Sequence, residues 1–187
     1  MASDRRVKYT KMVLRESLIK LLRDKPISRI TIKELCETAD INRATFYSHY
    51  SDQFDLLKKI ENEFIENITS YLQNFEAEAK ETDLQLIVLK IFEYIAENKD
   101  LCRVLLGENG DMDFQNEIMK VVSERIVFEW QKKKGIDENM VGYIYTFVAT
   151  GSIGVISKWL LEENSDPPAK IAALVSQLAN KGVRAYI

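Results

Sequence analysis

Apolar residues recur at helical spacing along most of this chain. In the first repeat, within residues 8–24, the leucines are expected to share one face of a helix, with charged residues on the other: Leu14, Leu18, Leu21 and Leu22. Lys25 precedes Pro26, and the residue before a proline is disfavoured in the α region. The pattern therefore predicts a first helix that ends at this proline.

Two short helices are predicted next. Thr31 and Glu34 fit the capping box, in which the hydroxyl and the carboxylate each satisfy a backbone donor that the helix leaves free. The sequence interrupts this helix at residues 40–42, and Asn42 is a good N-cap for a third helix over residues 43–49. A short helix, a tight turn and a second short helix with an exposed polar surface form the helix-turn-helix layout.

A longer apolar repeat begins at residue 51 or 52 and continues for more than twenty residues, which is too long for the three-helix unit alone. It is expected to connect a head, residues 1–53, to a larger body, residues 54–187. Further helices are predicted at roughly 83–98, 99–106, 111–134, 137–163 and 167–186. Apolar and polar residues nowhere alternate for long enough to predict a strand. The expected fold class is therefore all-α, with about nine helices.

Composition supports long helices and limits the chemistry. Glycine and proline number only 7 and 3, which favours helices joined by short loops. Cys36 and Cys102 stand far apart and the chain has one histidine, His49, so neither a structural zinc site nor a disulfide framework is expected. The charged N-terminus has no apolar run behind it, which argues against a signal peptide. A cytoplasmic protein without a cofactor is the resulting expectation.

One stretch approaches the length of a membrane span. Residues 139–157 contain no charge, but they include several Gly, Ser and Thr residues, and charge resumes at Lys158. We expect a helix buried on most sides in a protein that has no membrane partner.

The charge is distributed unevenly between head and body. Residues 1–60 hold 13 Lys and Arg against 8 Asp and Glu, whereas residues 61–187 hold 13 against 21. A basic head on an acidic body favours a polyanionic partner for the head alone.

The head carries a resemblance to a known family. The segment Asn42-Arg-Ala-Thr-Phe-Tyr-Ser-His-Tyr50, followed by Asp55-Leu-Leu57, makes residues 10–57 resemble the DNA-binding domain of the TetR family of bacterial regulators. This covers about a quarter of the chain. Tyr50 to Leu57 and the helix pattern of the body are also similar to a subset that regulates dihydroxyacetone kinase genes. The resemblance implies a transcriptional regulator, most simply a repressor, that binds a double-stranded DNA operator.

The residues expected to bind DNA are Thr31, Asn42, Arg43, Ala44, Thr45, Tyr47, Ser48, His49 and Lys58. Arg43 suits a bidentate contact to guanine and Thr45 a contact to a thymine methyl. Tyr47 and His49 suit phosphate or sugar contacts, which fix register without reading sequence. Thr31 stands at a helix N-terminus, where hydroxyl and backbone donors favour a phosphate.

Two positions depart from the family pattern. The turn carries Asp40 where a small residue, often glycine, is usual, although aspartate tolerates the left-handed conformation better than most residues. Gln53 stands where many relatives carry a phosphate-binding lysine. Lys58 and Lys59, a turn later, are the candidates to supply the missing charge.

The resemblance further implies a homodimer on a palindromic operator and release by an unknown small-molecule effector. The expected dimer interface, formed by the last two long helices, comprises Gly151, Gly154, Val155, Trp159, Leu174 and Leu178. The candidate effector-binding residues are aromatic or apolar positions of the middle helices: Phe64, Tyr71, Phe92, Leu105, Phe128, Tyr143 and Phe147. Any one of these side chains can instead belong to an ordinary core.

Other functions are open at this stage. An enzyme is not expected, because a nucleophile pair would have to use His49 and there is no phosphate-binding glycine loop or metal-ligand cluster. The alternatives within the same fold are a co-regulator that has lost DNA binding, which Asp40 and Gln53 favour, and a transcriptional activator.

Overall fold

The computed structural model describes residues 2–78, 84–107, 110–131, 138–162 and 166–184, and within them the secondary structure is entirely helical. The helices are α1 Ala2–Leu22, α2 Ile32–Ala39, α3 Arg43–Tyr47, α4 Gln53–Glu78, α5 Leu84–Glu97, α6 Lys99–Leu105, α7 Met112–Gln131, α8 Glu138–Leu161 and α9 Pro168–Arg184. A single 3-10 turn, Ile27–Arg29, follows α1. The predicted all-α fold class is confirmed.

The head closes on a small core of its own. The leucine face of α1 is completely buried at Leu14 and Leu18, as predicted, and it packs against Leu35 of α2 and Phe46 of α3. Burial of a large apolar side chain contributes about 1.5–3 kcal/mol, so these four residues account for much of the head's stability.

The connector helix α4 belongs to both parts of the molecule. Its first turns bury Leu56 and Leu57 against the head, and later turns bury Phe64, Ile68 and Leu72 in the body. These residues form one continuous apolar cluster, so α4 has buried side chains in both the head and the body.

The body is a bundle in which α9 packs mainly on α5 and α8 is tied to α6. Arg103 of α6 donates to the carbonyl of Leu160, and the Ser157 hydroxyl donates to the carbonyl of Leu106 at 3.0 Å. The side chain of Arg103 thus satisfies a carbonyl that the end of α8 leaves without an intrahelical partner.

Most predicted helix bounds agree with the structure to within a few residues. Two bounds in the head differ in an informative way. Helix α1 begins at Ala2, ahead of the leucine repeat that predicted it. Helix α3 ends at Tyr47 and not at His49, because the Ser48 hydroxyl donates to the carbonyl of Thr45 at 2.7 Å and the chain turns toward α4.

Candidate DNA-binding interface

The Thr31 half of the predicted capping box is present at the N-terminus of α2, whereas the Glu34 carboxylate bonds a lysine side chain and not the backbone. Thr31 has extended backbone angles, and its hydroxyl oxygen accepts from the amide of Glu34 at 3.2 Å. The Glu34 carboxylate accepts from Lys25 at 2.6 and 2.7 Å, so it ties the loop after α1 to α2. The exposed Thr31 side chain therefore stands at a fixed helix N-terminus.

The turn between α2 and α3 takes only three residues. Asp40 adopts the left-handed conformation, with φ 52° and ψ 47°, and the amide of Ile41 donates to the carbonyl of Cys36 at 3.0 Å. Such a left-handed residue is a usual way to end a helix. Asn42 then starts α3 by accepting from the amide of Ala44 at 2.8 Å. The turn predicted to survive at Asp40 is present.

Helix α3 turns one side inward and the other toward solvent. Phe46 is completely buried, and its ring lies 5.6 Å from that of Tyr47 and 5.8 Å from that of Tyr50. The exposed side chains of the predicted contact set on this helix and at its two caps are Asn42, Arg43, Ala44, Tyr47 and Ser48, and Thr45 and His49 are half-buried beside them. The short helix thus presents a cation, hydroxyls and an aromatic ring on an accessible surface.

The start of α4 is bonded to the end of α3 by a network that sequence reasoning missed. The Lys59 ammonium donates to the carbonyl of His49 at 3.2 Å and to Asp55 at 3.1 Å, and it lies 4.8 Å from the ring centroid of Tyr50. Asp55 also accepts from the amide of Ser51 at 3.0 Å. That backbone bond, followed by the bond from Lys59, lowers the pKa of Asp55.

The sequence signal for this network is the spacing of three charged residues. Asp52 accepts from the amide of Asp55 at 2.8 Å and so caps α4, and Lys59 stands one turn after Asp55. An N-cap followed by an Asp and a Lys four residues apart is visible in the printed sequence.

Lys58 forms ion pairs within its own chain. Its ammonium lies 3.1 Å from a carboxylate oxygen of Glu117 on α7 and 3.7 Å from one of Glu61 on α4. The bond to Glu117 raises the pKa of Lys58. The charge of Lys58 is engaged by the body in this structure, and the assignment of Lys58 to DNA stays a prediction. Lys58 and Lys59, the candidates to supply the charge that Gln53 lacks, are both ion-paired within the chain.

An apolar groove runs between α8 and α9 on the outside of the body. It has a volume of about 560 Å³. Its lining includes Met140, Tyr143, Phe147, Gly151, Val155, Val175, Leu178 and Ala179. Leu174 and Leu178 of α9 are 46% and 61% exposed. A side chain added at Gly151 or Gly154 would meet nothing within 4 Å in the same chain. We call the surface formed by these residues of the groove, together with Gly154 and Leu174, the α8/α9 face.

Three assignments in the body change. Tyr143 and Phe147, proposed as effector-binding, are 75% and 80% exposed on the α8/α9 face, because the apolar side of α8 that carries them has no cover in the single chain. Trp159, proposed for the dimer interface, is buried by its own chain. Its ring lies 5.5 Å from that of Phe92, and its indole N–H donates to the carbonyl of Asp166 at 2.7 Å.

The remaining effector candidates lie in the body's interior. Phe64, Phe92 and Leu105 are each 2% exposed and Tyr71 is half-buried. Phe64 stacks edge-on against Tyr94 and Phe114, with ring centroids 5.5 and 5.9 Å apart. The side chain of Phe128 lies outside the described residues. In this conformation the four described candidates act as core.

Helix α8 is also long and apolar enough to cross a membrane by length and composition alone, over Met140–Leu161, and 11% of its most apolar stretch is buried. One helix of this kind is weak evidence for a membrane. The expectation that α8 is buried on most sides is wrong for the single chain.

A capped helix, a left-handed turn and a short outward-facing helix, joined to a helical body, define the class of helix-turn-helix transcriptional regulators. A TetR model described as a transcriptional regulator C-terminal region matches residues 82–181, more than half of the chain. The chain belongs to the TetR family of transcriptional regulators.

Similar proteins agree with this assignment over head and body. An uncharacterized HTH-type transcriptional regulator of Bacillus subtilis (strain 168), YxbF, is 36% identical over 47 residues, which cover 25% of this chain and 12% of that relative. A TetR transcriptional regulator from Streptococcus agalactiae 2603V has the same fold, with a TM-score of 0.70 at 20% identity over 96% of this chain and 98% of the other.

Two further solved structures share the fold at low identity. The dihydroxyacetone kinase operon activator DhaS matches with a TM-score of 0.59 at 19% identity, over 95% of this chain and 97% of its own. FadR from Bacillus subtilis, solved in complex with stearoyl-CoA, matches with a TM-score of 0.63 at 18% identity, over 90% and 96%. At these identities the likeness shows the fold.

Proposed function

We propose that this regulator is a cytoplasmic homodimer that represses transcription from a palindromic operator and is released by a small-molecule effector. The observation that carries the proposal is the accessible surface of α3, where Arg43 and Tyr47 stand outward on a helix whose start and end are both bonded in place. Residues 1–53 serve as the DNA-binding domain and residues 54–187 as the effector and dimerisation domain.

In this proposal α3 enters the major groove of the operator. Arg43, at the first turn of α3, donates to the acceptors of a guanine, and Thr45 lies against a thymine methyl. Tyr47, Ser48 and His49 contact the sugar-phosphate backbone, as does Thr31 from the N-terminus of α2. Asn42 and Ala44 flank Arg43 and allow the helix backbone to approach the groove.

Dimerisation through the α8/α9 face covers the apolar surface that one chain leaves open. Phe147, Leu178 and the neighbouring glycines form a surface that is apolar and closely approachable, as obligate interfaces are. Two-fold symmetry then places two α3 helices on two half-sites of one operator.

The effector is proposed to bind the body among the aromatic side chains between α4, α5 and α7. The stearoyl-CoA complex of FadR, a protein of the same fold, supports a small-molecule effector, and Phe64 and Phe92 fill the interior of the body here. Binding therefore requires these rings to separate, which shifts the population between two positions of α4. A thermal-shift screen of metabolites, with stearoyl-CoA as one probe, tests this step. Ligands that stabilise the protein without weakening DNA binding would contradict it.

Selection of bound fragments from the source genome tests the main proposal. The purified dimer should enrich a short palindrome, and the DNA upstream of its own gene is the first candidate. Recovery of random fragments in proportion to their abundance would contradict specific operator binding.

An activator or a DNA-binding-deficient co-regulator is the second candidate. The neutral Gln53 at the start of α4 favours the co-regulator, since Lys58 is held by Glu117. The activator is favoured by one protein of the same fold, which is an operon activator. A promoter reporter in a deletion strain separates these readings. Expression rises on deletion for a repressor and falls for an activator, and a co-regulator shows no operator binding by itself.

A further inference from the structure

Glu61 is a buried carboxylate on the connector helix. Its side chain is 1% exposed, and its Oε1 atom has no hydrogen-bond partner among the residues that the structure describes. A buried polar atom without a partner costs free energy, so such an atom in a native protein calls for a physical reason. Glu61 lies on the third turn of α4, where this helix leaves the head and meets α7.

The charged groups around Glu61 are unequal in sign. Lys58, one turn earlier on α4, lies 3.7 Å from its Oε2 atom and 3.1 Å from Glu117 of α7. Asp111, at the N-terminus of α7, adds a further negative charge to the same field. One cation is therefore shared by a cluster that holds three carboxyl groups.

Within the described part of the chain, one cation on each of two other helices packed on α4 is already ion-paired with another carboxylate. From α1, Arg15 is bonded to Glu63 at 2.6 Å. From α5, Lys90 is bonded to Glu93 at 2.7 Å. Burial raises the pKa of Glu61 to about 7, with a smaller opposing effect from Lys58.

Gain or loss of one proton at Glu61 changes how α4 is held. With Glu61 neutral, Lys58 has one close anionic partner, Glu117, and the pair joins α4 to α7. With Glu61 ionised, Lys58 is divided between its own helix and α7, and uncompensated negative charge lies between the two helices. The contact between α4 and α7 then weakens.

We propose that Glu61 is a proton-sensitive positioning residue, which acts through Lys58 and Glu117 to set how firmly the connector helix is held against α7. Because Lys59 joins α4 to the end of α3, the contact between α4 and α7 also sets the position of α3. Only this second step depends on the proposed operator binding. The first is a property of the protein alone.

The test compares the wild type with Glu61→Gln, which keeps the shape of the side chain but cannot ionise. Glu63→Gln is the matched control, because Glu63 lies two residues away on α4 with a half-exposed side chain. The hydrogen-exchange rates of the backbone amides of residues 112–120, in the first part of α7, are measured at pH 6 and at pH 8. At each pH, the rates of two proteins are compared as a ratio. At pH 8 we expect at least threefold faster exchange in the wild type and in E63Q than in E61Q, and equal rates at pH 6.

Thermal unfolding gives an independent measure of the same proton. The pKa of Glu61 is about 7 in the folded protein and about 4.5 in the unfolded chain. Between these two values only the folded protein binds the proton. The stabilisation is therefore complete below pH 4.5 and is lost as the pH rises through 7. The Tm of the wild type relative to E61Q should fall by on the order of 5 °C between pH 5 and pH 8. A constant difference would overturn the proposal.

Operator affinity at pH 6 and pH 8 tests the second step. The ratio of the dissociation constants of wild type and E61Q should change at least threefold, and that of wild type and E63Q should not. Equal exchange rates at pH 8 overturn the proposal whatever the DNA result. A pH-dependent exchange with a constant affinity ratio overturns the link to α3. If no variant binds DNA, the proposed function fails, and the exchange experiment still decides the role of Glu61.

Discussion

The head buries its large apolar side chains within one chain, whereas the α8/α9 face leaves them exposed. In the head, Phe46 and Leu35 are completely buried by the same chain, and both short helices have side-chain caps. On the α8/α9 face, Tyr143 and Phe147 are three-quarters exposed or more, and a side chain added at Gly151 or Gly154 would meet open space. The head is complete within one chain, whereas this face has the composition of an interior without its cover. The difference teaches that the head is determined by its local sequence, whereas the cover of the α8/α9 face has to come from elsewhere, in our proposal from a second copy of the chain.

The substitution Gly151→Leu gives the strongest test of this difference between the head and the α8/α9 face. In a single chain the new side chain has open space, and leucine favours a helix over glycine by about 1 kcal/mol, so the monomer should be at least as stable as before. In a close dimer interface the same bulk costs about 1–3 kcal/mol for each copy. Sedimentation equilibrium should show a dimer dissociation constant raised at least about tenfold.

Gly142→Leu is the matched control for that substitution. It lies on the same helix, and it too meets nothing within 4 Å, but it does not line the groove. It should leave the dimer intact. An unchanged dimer in Gly151→Leu as well would remove the α8/α9 face from the interface.

Arg43→Ala sharpens the other side of the comparison, because it alters the head's surface and not its core. Loss of a bidentate base contact should cost about 1–3 kcal/mol of operator affinity and relax the preference at one base pair. Arg29→Ala removes the same charge from an exposed position outside α3 and should leave base preference unchanged. Competition binding with operator variants measures both. Equal loss on every sequence would make Arg43 a phosphate contact.

The smallest expected effect concerns the turn that closes the head. Asp40 has φ 52°, where a residue with a Cβ is strained and glycine is not. Asp40→Gly should therefore raise the free energy of unfolding by a few tenths to about 1 kcal/mol, with operator affinity unchanged. Asp40→Ala keeps the Cβ and should not stabilise. Chemical denaturation checks both, and destabilisation by glycine would mean that the Asp side chain, and not its backbone, determines the turn.

Most of the fold could be predicted because its signals are local. The caps at Thr31 and Asn42 and the tolerance of Asp40 for the left-handed region each depend on a few neighbouring residues, and the structure has all three. Helix bounds in the body were predicted from apolar spacing for the same reason.

The orientation of α8 could not be predicted from spacing. This helix is apolar around most of its circumference, so periodicity does not say which side is covered by the same chain. Trp159 was therefore assigned outward and Phe147 inward, the reverse of what the structure has. The ion pair of Lys58 with Glu117 joins residues 59 positions apart, and a pairing of that separation leaves no local signal.

The salt dependence of operator binding tests the central claim most directly. Fluorescence anisotropy of the purified protein on the DNA upstream of its own gene, from about 50 to 300 mM salt, measures the release of counterions from the phosphates that the protein contacts. Affinity that falls as the salt concentration rises, with a marked loss on scrambled DNA, is predicted. Binding that is absent at the lowest salt, or an affinity that does not change with salt, would contradict the assignment of α3 as a DNA-reading helix.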